Sequence, residues 1–247
     1  MLLQEFNEFH GRHGSSGTGA VARKLSSASL FLLSYLIEIK PLYLYDGDHI
    51  NKDFLATKMR YRPEDKEKTR QRILSVSARR YRSEGLTGVG IANLMADLGM
   101  THGGFYAHFT DKEALVTASC EYAFSAMLKN WDQLQPTGGT PFAARVRDYL
   151  SRQHVDHPEN GCFAAALAGE MARRDTRSRQ AFSHGIEQML LRLAEEDGRP
   201  ANLAPEAVLS MMLGAVMLAR AVSDRQLSER FRQLAVSALT GAEPDQP

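Results

Sequence analysis

His102, Tyr106, His108 and Lys112 crowd one short stretch, with the glycine pair Gly103-Gly104 directly after the first histidine. Imidazole, phenol and ammonium groups can all bond phosphate oxygens, and a glycine pair lets a backbone approach a bulky partner closely. Together they suit a nucleic-acid duplex better than a reaction. Metal binding would need a third ligand, and no further Cys, His or carboxylate stands nearby at a convincing spacing, so no metal and no cofactor are expected. The sequence has no nucleophile–base pair, phosphate loop or metal cluster, which argues against an enzyme. Cys120 and Cys162 fall in different predicted helices without CxxC spacing, so no disulfide framework is expected and a reducing cytoplasm fits.

Positioning such a cluster requires short, sharply connected elements. The run Ile91–His108, IANLMADLGMTHGGFYAH, predicts a short helix from Ile91 to Leu98, a break at Gly99, and a second short helix over His102 to Phe109. Gly99 tolerates the positive φ of an abrupt helix stop. Met100 can fill the angle between the helices, and Thr101 is a fitting N-cap for the second. Phe105 and Phe109, four apart, would face inward while the amino end presents His102, Gly103 and Gly104. Each glycine lowers helix propensity by about 1 kcal/mol against alanine, which close approach to DNA would justify. On spacing alone, a packed helical hairpin explains the same pattern.

The preceding helix begins near Glu64 and is expected to end at Gly85. Ile73, Leu74, Ser77, Ala78 and Tyr81 form its buried stripe, and Lys66, Lys68, Arg70, Arg72, Arg79, Arg80 and Arg82 cover much of the rest. Those charges are either a solvated face or part of a polyanion surface. A fourth helix should start at Thr110-Asp-Lys-Glu113 with Thr110 as cap. Later helices are expected at about 142–154, 162–173, 176–196, 205–223 and 228–240. The fold class is therefore all-α: three short helices followed by a larger bundle.

The chain has 247 residues and a formal net charge of +1, so bulk charge does not announce a polyanion partner. The apolar run Leu30–Ile37 is far short of the roughly 20 residues a membrane span needs. Residues 1–58 lack helical period and read as an extension, either an accessory arm or a start assigned upstream of Met59. The expected organisation is an extension over 1–58, a domain of short helices over 59–110, a larger helical domain over 111–241 and a tail over 242–247.

The stretch Thr69–Val116, with TRQRIL, a glycine closing the first helix, LMADLGM, GFYAHF and DKEAL, closely resembles the DNA-binding domain of the TetR/AcrR family of bacterial regulators. The resemblance implies a homodimer of two helix-turn-helix domains on a palindromic double-stranded DNA operator, each joined to a helical domain whose small-molecule effector releases a repressor from its operator. By motif position it implies base contacts from His102, Gly103 and Ala107, and phosphate contacts from Tyr106, His108 and Lys112, with Thr101 and Gly104 at the same helix start. The sequence departs from the family pattern at Gly104, at Val89-Gly90 and at Arg80.

In the larger part, helix 205–223 is apolar nearly all round, and Phe231, Leu234, Ala235, Ala238 and Leu239 stripe the last helix. Such a pair can form a four-helix dimer interface, with Leu213 and Leu234 as its expected centre, or an ordinary monomer core. Trp131, Tyr149, Phe163 and Phe182 are candidates for lining an effector pocket or for simple core. Cys162, at a predicted helix start, is either a thiol of lowered pKa or a buried inert one.

Overall fold

The computed structural model describes residues 63–136 and 139–242, and every regular element among them is helical. The expectations for residues 1–58 fall outside this range. The first helix, α1 (Pro63–Gly88), opens with Glu64 and Asp65, carboxylates well placed against the positive end of the helix dipole. The expected stop at Gly85 is instead a kink: its φ of 79° and ψ of 163° interrupt the helix, which resumes to Gly88. There Glu170 from a distant helix accepts a hydrogen bond from the Leu86 amide at 2.9 Å. A partner from outside the helix thus satisfies an amide the kink frees.

Helix α2 (Ile91–Asp97) is followed by a turn at Gly99, whose φ is 69°, and by a 3₁₀ helix over His102–Ala107. Arg80, polar where the family pattern is apolar, forks between Glu84 at 2.7 Å and Asp97 at 2.6 Å and ties α1 to the end of α2. Helix α3 (Lys112–Gln133) starts from Asp111, whose carboxylate accepts from the Ala114 amide at 2.7 Å. Thr110 is therefore not the cap: its hydroxyl bonds to the Asp111 carboxylate.

The expected helix 142–154 is two helices, α4 (Pro141–Tyr149) and α5 (Arg152–Asp156), because Ser151 leaves the helical path and its hydroxyl caps α5 at the His154 amide. After a 3₁₀ turn over Pro158–Asn160 come α6 (Phe163–Met171), α7 (Thr176–Glu195), α8 (Pro205–Ala221) and α9 (Arg225–Thr240). Helix α3 packs along both α1 and α7, α8 pairs with α9, and α6 lies against α1, α3, α7 and α8. At the α3–α7 crossing Gly185 has no room for a side chain, since an added methyl would meet the Phe124 ring. One continuous core runs from Ile73 and Tyr81 through Leu115 and Phe163 to Val216 and Leu239.

Candidate nucleic-acid interface and regulatory cavity

The 3₁₀ helix is held from behind by aromatics. Phe105 is fully buried and stacks on Phe109 at 5.6 Å between centroids. Arg70 of α1 lies over the Phe109 ring at 4.5 Å and donates to the His108 carbonyl at 3.0 Å. A planar cation on an aromatic face with a directed hydrogen bond fixes the carboxyl end of this element against α1. At the amino end the Thr101 hydroxyl accepts from the Gly104 amide at 3.3 Å, as an N-cap should.

The opposite face is open. Thr101, His102, Gly103, Tyr106 and Ala107 are exposed, and the tyrosine ring is 56% accessible with the His102 ring edge-on to it at 5.7 Å. A methyl added at Gly103 would meet no atom of the described residues, whereas one at Gly104 would touch Thr101, Met100 and Met95 at ordinary contact distances. Gly104 therefore faces the neighbouring helix as much as the outside. His108 and Lys112 are half-buried at the flank. The His108 imidazole pKa is lowered by desolvation and then by the nearby charges of Lys66 and Arg70. Lys66 and Arg70 of α1, together with the Glu67 carboxylate, thus act on the end of this segment, which sequence spacing did not reveal because they lie in a different element.

The second set of candidates divides. Trp131 and Tyr149 meet edge to face at 5.9 Å and line a cavity of about 170 Å³, with His154, Asp148, Asn160 and Cys162 among the other walls. Phe163 and Phe182 do not line it: both contact Phe124, Phe163 is buried core and Phe182 packs against the core's edge. The cavity's inner frame is made by His154. Its Nδ1 donates to the Tyr149 carbonyl at 2.6 Å and its Nε2 accepts from the Cys162 amide at 2.8 Å, which defines the neutral tautomer. Burial lowers the His154 pKa to about 4. Arg220 donates to the His154 and Val155 carbonyls at 2.5 and 3.2 Å.

Cys162 precedes the first residue of α6 but is buried, and burial pushes its thiol pKa up, which opposes the reading as an activated thiol. Cys120 is likewise pushed up, to about 12, by burial. Among the described residues no group of three potential metal ligands comes together, and no helix is long and apolar enough to cross a membrane.

Residues 73–118 match the family model for bacterial regulatory proteins of the tetR family. The chain is 26% identical over 137 residues to the HTH-type transcriptional repressor NemR of Escherichia coli K12, covering 53% of this chain and 69% of NemR. It is 26% identical over 102 residues to the uncharacterized HTH-type transcriptional regulator YerO of Bacillus subtilis, a match spanning 41% of this chain and only 35% of YerO. The fold is similar to reduced E. coli NemR, with a TM-score of 0.59 at 22% identity over 72% of this chain and all of that one. A TetR regulator from Chloroflexus aurantiacus gives the same TM-score at 20% identity over 70% of this chain and 95% of its own.

Proposed function

The chain is a TetR-family transcriptional regulator through its residues 73–118, and on that premise we propose that it is a homodimeric repressor released from a palindromic operator by a small molecule bound in its helical domain. The observation that carries the DNA-binding half is the two-faced 3₁₀ helix. Phe105, Phe109 and the Arg70 clamp hold it in place, and His102, Gly103, Tyr106 and Ala107 are exposed among the described residues. The amino end of such an element enters the major groove, where side chains reach base edges. In this reading His102, Gly103 and Ala107 meet base edges; Tyr106, His108 and Lys112 hold phosphate. Thr101 and Gly104 shape the helix start. NemR's description as a repressor supports the sign of regulation.

Dimerisation is assigned to α8 and α9. Met211 and Leu218, seven residues apart on one face of α8, are 37% and 47% exposed, and Leu234 of α9 is 59% exposed. Gly214 lies between the first two with open space above it, so a partner helix can approach closely there. Leu213, the sequence-based choice, packs against the core instead, and Leu218 takes its place. A second copy covering these side chains would bury a self-complementary apolar face, as two-fold interfaces do.

The experiment separates positioning from reading. Lys112→Ala should weaken operator and random DNA alike and reduce the log–log salt slope by roughly 0.9 per lost contact, hence about 2 per dimer. His102→Ala should lower operator affinity by on the order of 1–3 kcal/mol and leave random DNA nearly unchanged. Unchanged affinity and slope in both variants would remove this helix from the groove.

A further inference from the structure

Helices α3 and α7 run parallel and in step. Near their starts the hydroxyls of Thr117 and Ser178 share a hydrogen bond at 2.9 Å, and near their ends Arg192 binds Asp132 at 2.8 Å. The interval from Thr117 to Asp132 equals that from Ser178 to Arg192 to within a residue, and between them Phe124 packs on Gly185. Thr176, the first residue of α7, therefore stands level with Leu115, about 4.5 Å along the axis from Lys112 at a helical rise of roughly 1.5 Å per residue. Just before it, Arg174 donates to Glu113 of the first turn of α3 at 2.9 Å. The turn between α6 and α7 thus lies at the same end of the molecule as Lys112, directly after the recognition segment.

Charge is distributed along α7 against its dipole. Residues 173–179 at its start read RRDTRSR, while Glu195, Glu196 and Asp197 stand at its end. A helix dipole favours the reverse, carboxylates at the start and cations at the end. Asp175 has a local duty as the cap, its carboxylate accepting from the Ser178 amide at 2.7 Å, and Arg174 is committed to Glu113. Arg173 and Arg177 are exposed, and among the described residues no hydrogen bond or ion pair engages either guanidinium. An exposed arginine run is ordinarily a solvated face. This one opposes the dipole and is level with Lys112, and a guanidinium fork matches two oxygens of one phosphate.

Resting on the DNA-binding reading above, we propose that the turn between α6 and α7 is a second DNA contact, in which Arg173 and Arg177 hold duplex phosphates beside those held by Lys112. The helical domain, and not the helix-turn-helix alone, then rests on the DNA backbone. Such contacts carry no sequence information; they add affinity and fix the orientation of the recognition segment on the duplex.

Titration of the full chain at several salt concentrations, against an operator selected from random duplexes and against a scrambled duplex, tests this. Arg173→Gln combined with Arg177→Gln should weaken both duplexes alike and lower the log–log salt slope by roughly 0.9 per lost contact, hence about 4 per dimer. Arg173→Lys with Arg177→Lys should restore most of the slope, because counterion release follows charge. Lys129→Gln removes an exposed cation toward the far end of α3 and should leave the slope unchanged. In phosphate-ethylation interference, the double glutamine variant should lose positions that Lys112→Ala retains. An unchanged slope in that variant, an equal loss from Lys129→Gln, or loss of the same phosphates as in Lys112→Ala would overturn the second contact. If Lys112→Ala and His102→Ala alter binding as expected and the double glutamine variant does not, only the turn is overturned; a parent that binds no duplex overturns both.

Discussion

At Gly103 the exposed face has room for a methyl group, with no described atom within 4 Å of it. Its φ is not in the left-handed region, so alanine there meets no backbone strain. Gly103→Ala should raise folding stability by roughly 0.5–1 kcal/mol through helix propensity and the unfolded state. It should also weaken operator binding, because the added methyl stands where the duplex must approach. Urea melts beside a DNA titration check this, and a gain in both would show that the face does not meet DNA. Arg70 makes the complementary case. Arg70→Met removes the His108 carbonyl bond and the cation over Phe109, and should lower stability by on the order of 1 kcal/mol while loosening the 3₁₀ helix. The Thr101 cap was legible in sequence because capping is a local pattern. Arg70's role was not, since its partner lies 38 residues away. Thr110 was misread for a different reason: Thr110 and Asp111 are both capping types, and only the backbone decides which one leaves the helix.

Among elements, the pairing of α5 with the start of α6 depends on a neutral His154. Its pKa falls from an unfolded value near 6.5 to about 4 in the fold, so the unfolded chain binds the extra proton first. The contribution is fully present above pH 6.5 and is lost as pH falls toward 4, by on the order of 3 kcal/mol. Subtracting the stability profile of His154→Gln from that of the parent isolates this window; a flat difference between pH 7 and 4 would contradict the tautomer assigned here. Helix periodicity located most elements within a few residues, because apolar spacing reports which face is buried. It missed the break at Leu150-Ser151, where the residues around Ser151 keep helical spacing and the hydroxyl cap alone marks the new start. The Gly85 kink was read as a stop for the same reason: a glycine's positive φ is visible in sequence, but the Glu170 carboxylate that catches the next amide is not.

For the whole molecule, reading a palindromic operator requires two recognition helices held at a fixed separation. Met211, Leu218 and Leu234 keep 37%, 47% and 59% of their surface exposed, and burying that remainder contributes roughly 1 kcal/mol each. Leu218→Glu combined with Leu234→Glu should give monomers in sedimentation; an unchanged dimer would move the interface elsewhere. The apolar stripe of α9 fitted either a dimer interface or a monomer core, and the structure divides it, with Ala235 and Leu239 buried and Leu234 exposed; Leu213 and Leu218 are equally apolar in sequence, and only packing against the core separates them. The four effector candidates could not be told apart in sequence for a similar reason. Trp131 and Tyr149 share a cavity and Phe163 and Phe182 share the Phe124 cluster, yet all four are large aromatics on helices.

The measurement closest to the central claim is selection of bound duplexes from a random pool by the full chain, repeated with His102→Ala. The dimer should enrich a palindrome of two half-sites separated by about one helical turn, roughly 34 Å, or a multiple of it. The variant should enrich the same palindrome with preference relaxed at one symmetric position in each half. Enrichment of no sequence by the parent chain, or identical preferences from both proteins, would contradict the assignment of His102–Ala107 as the element that reads DNA.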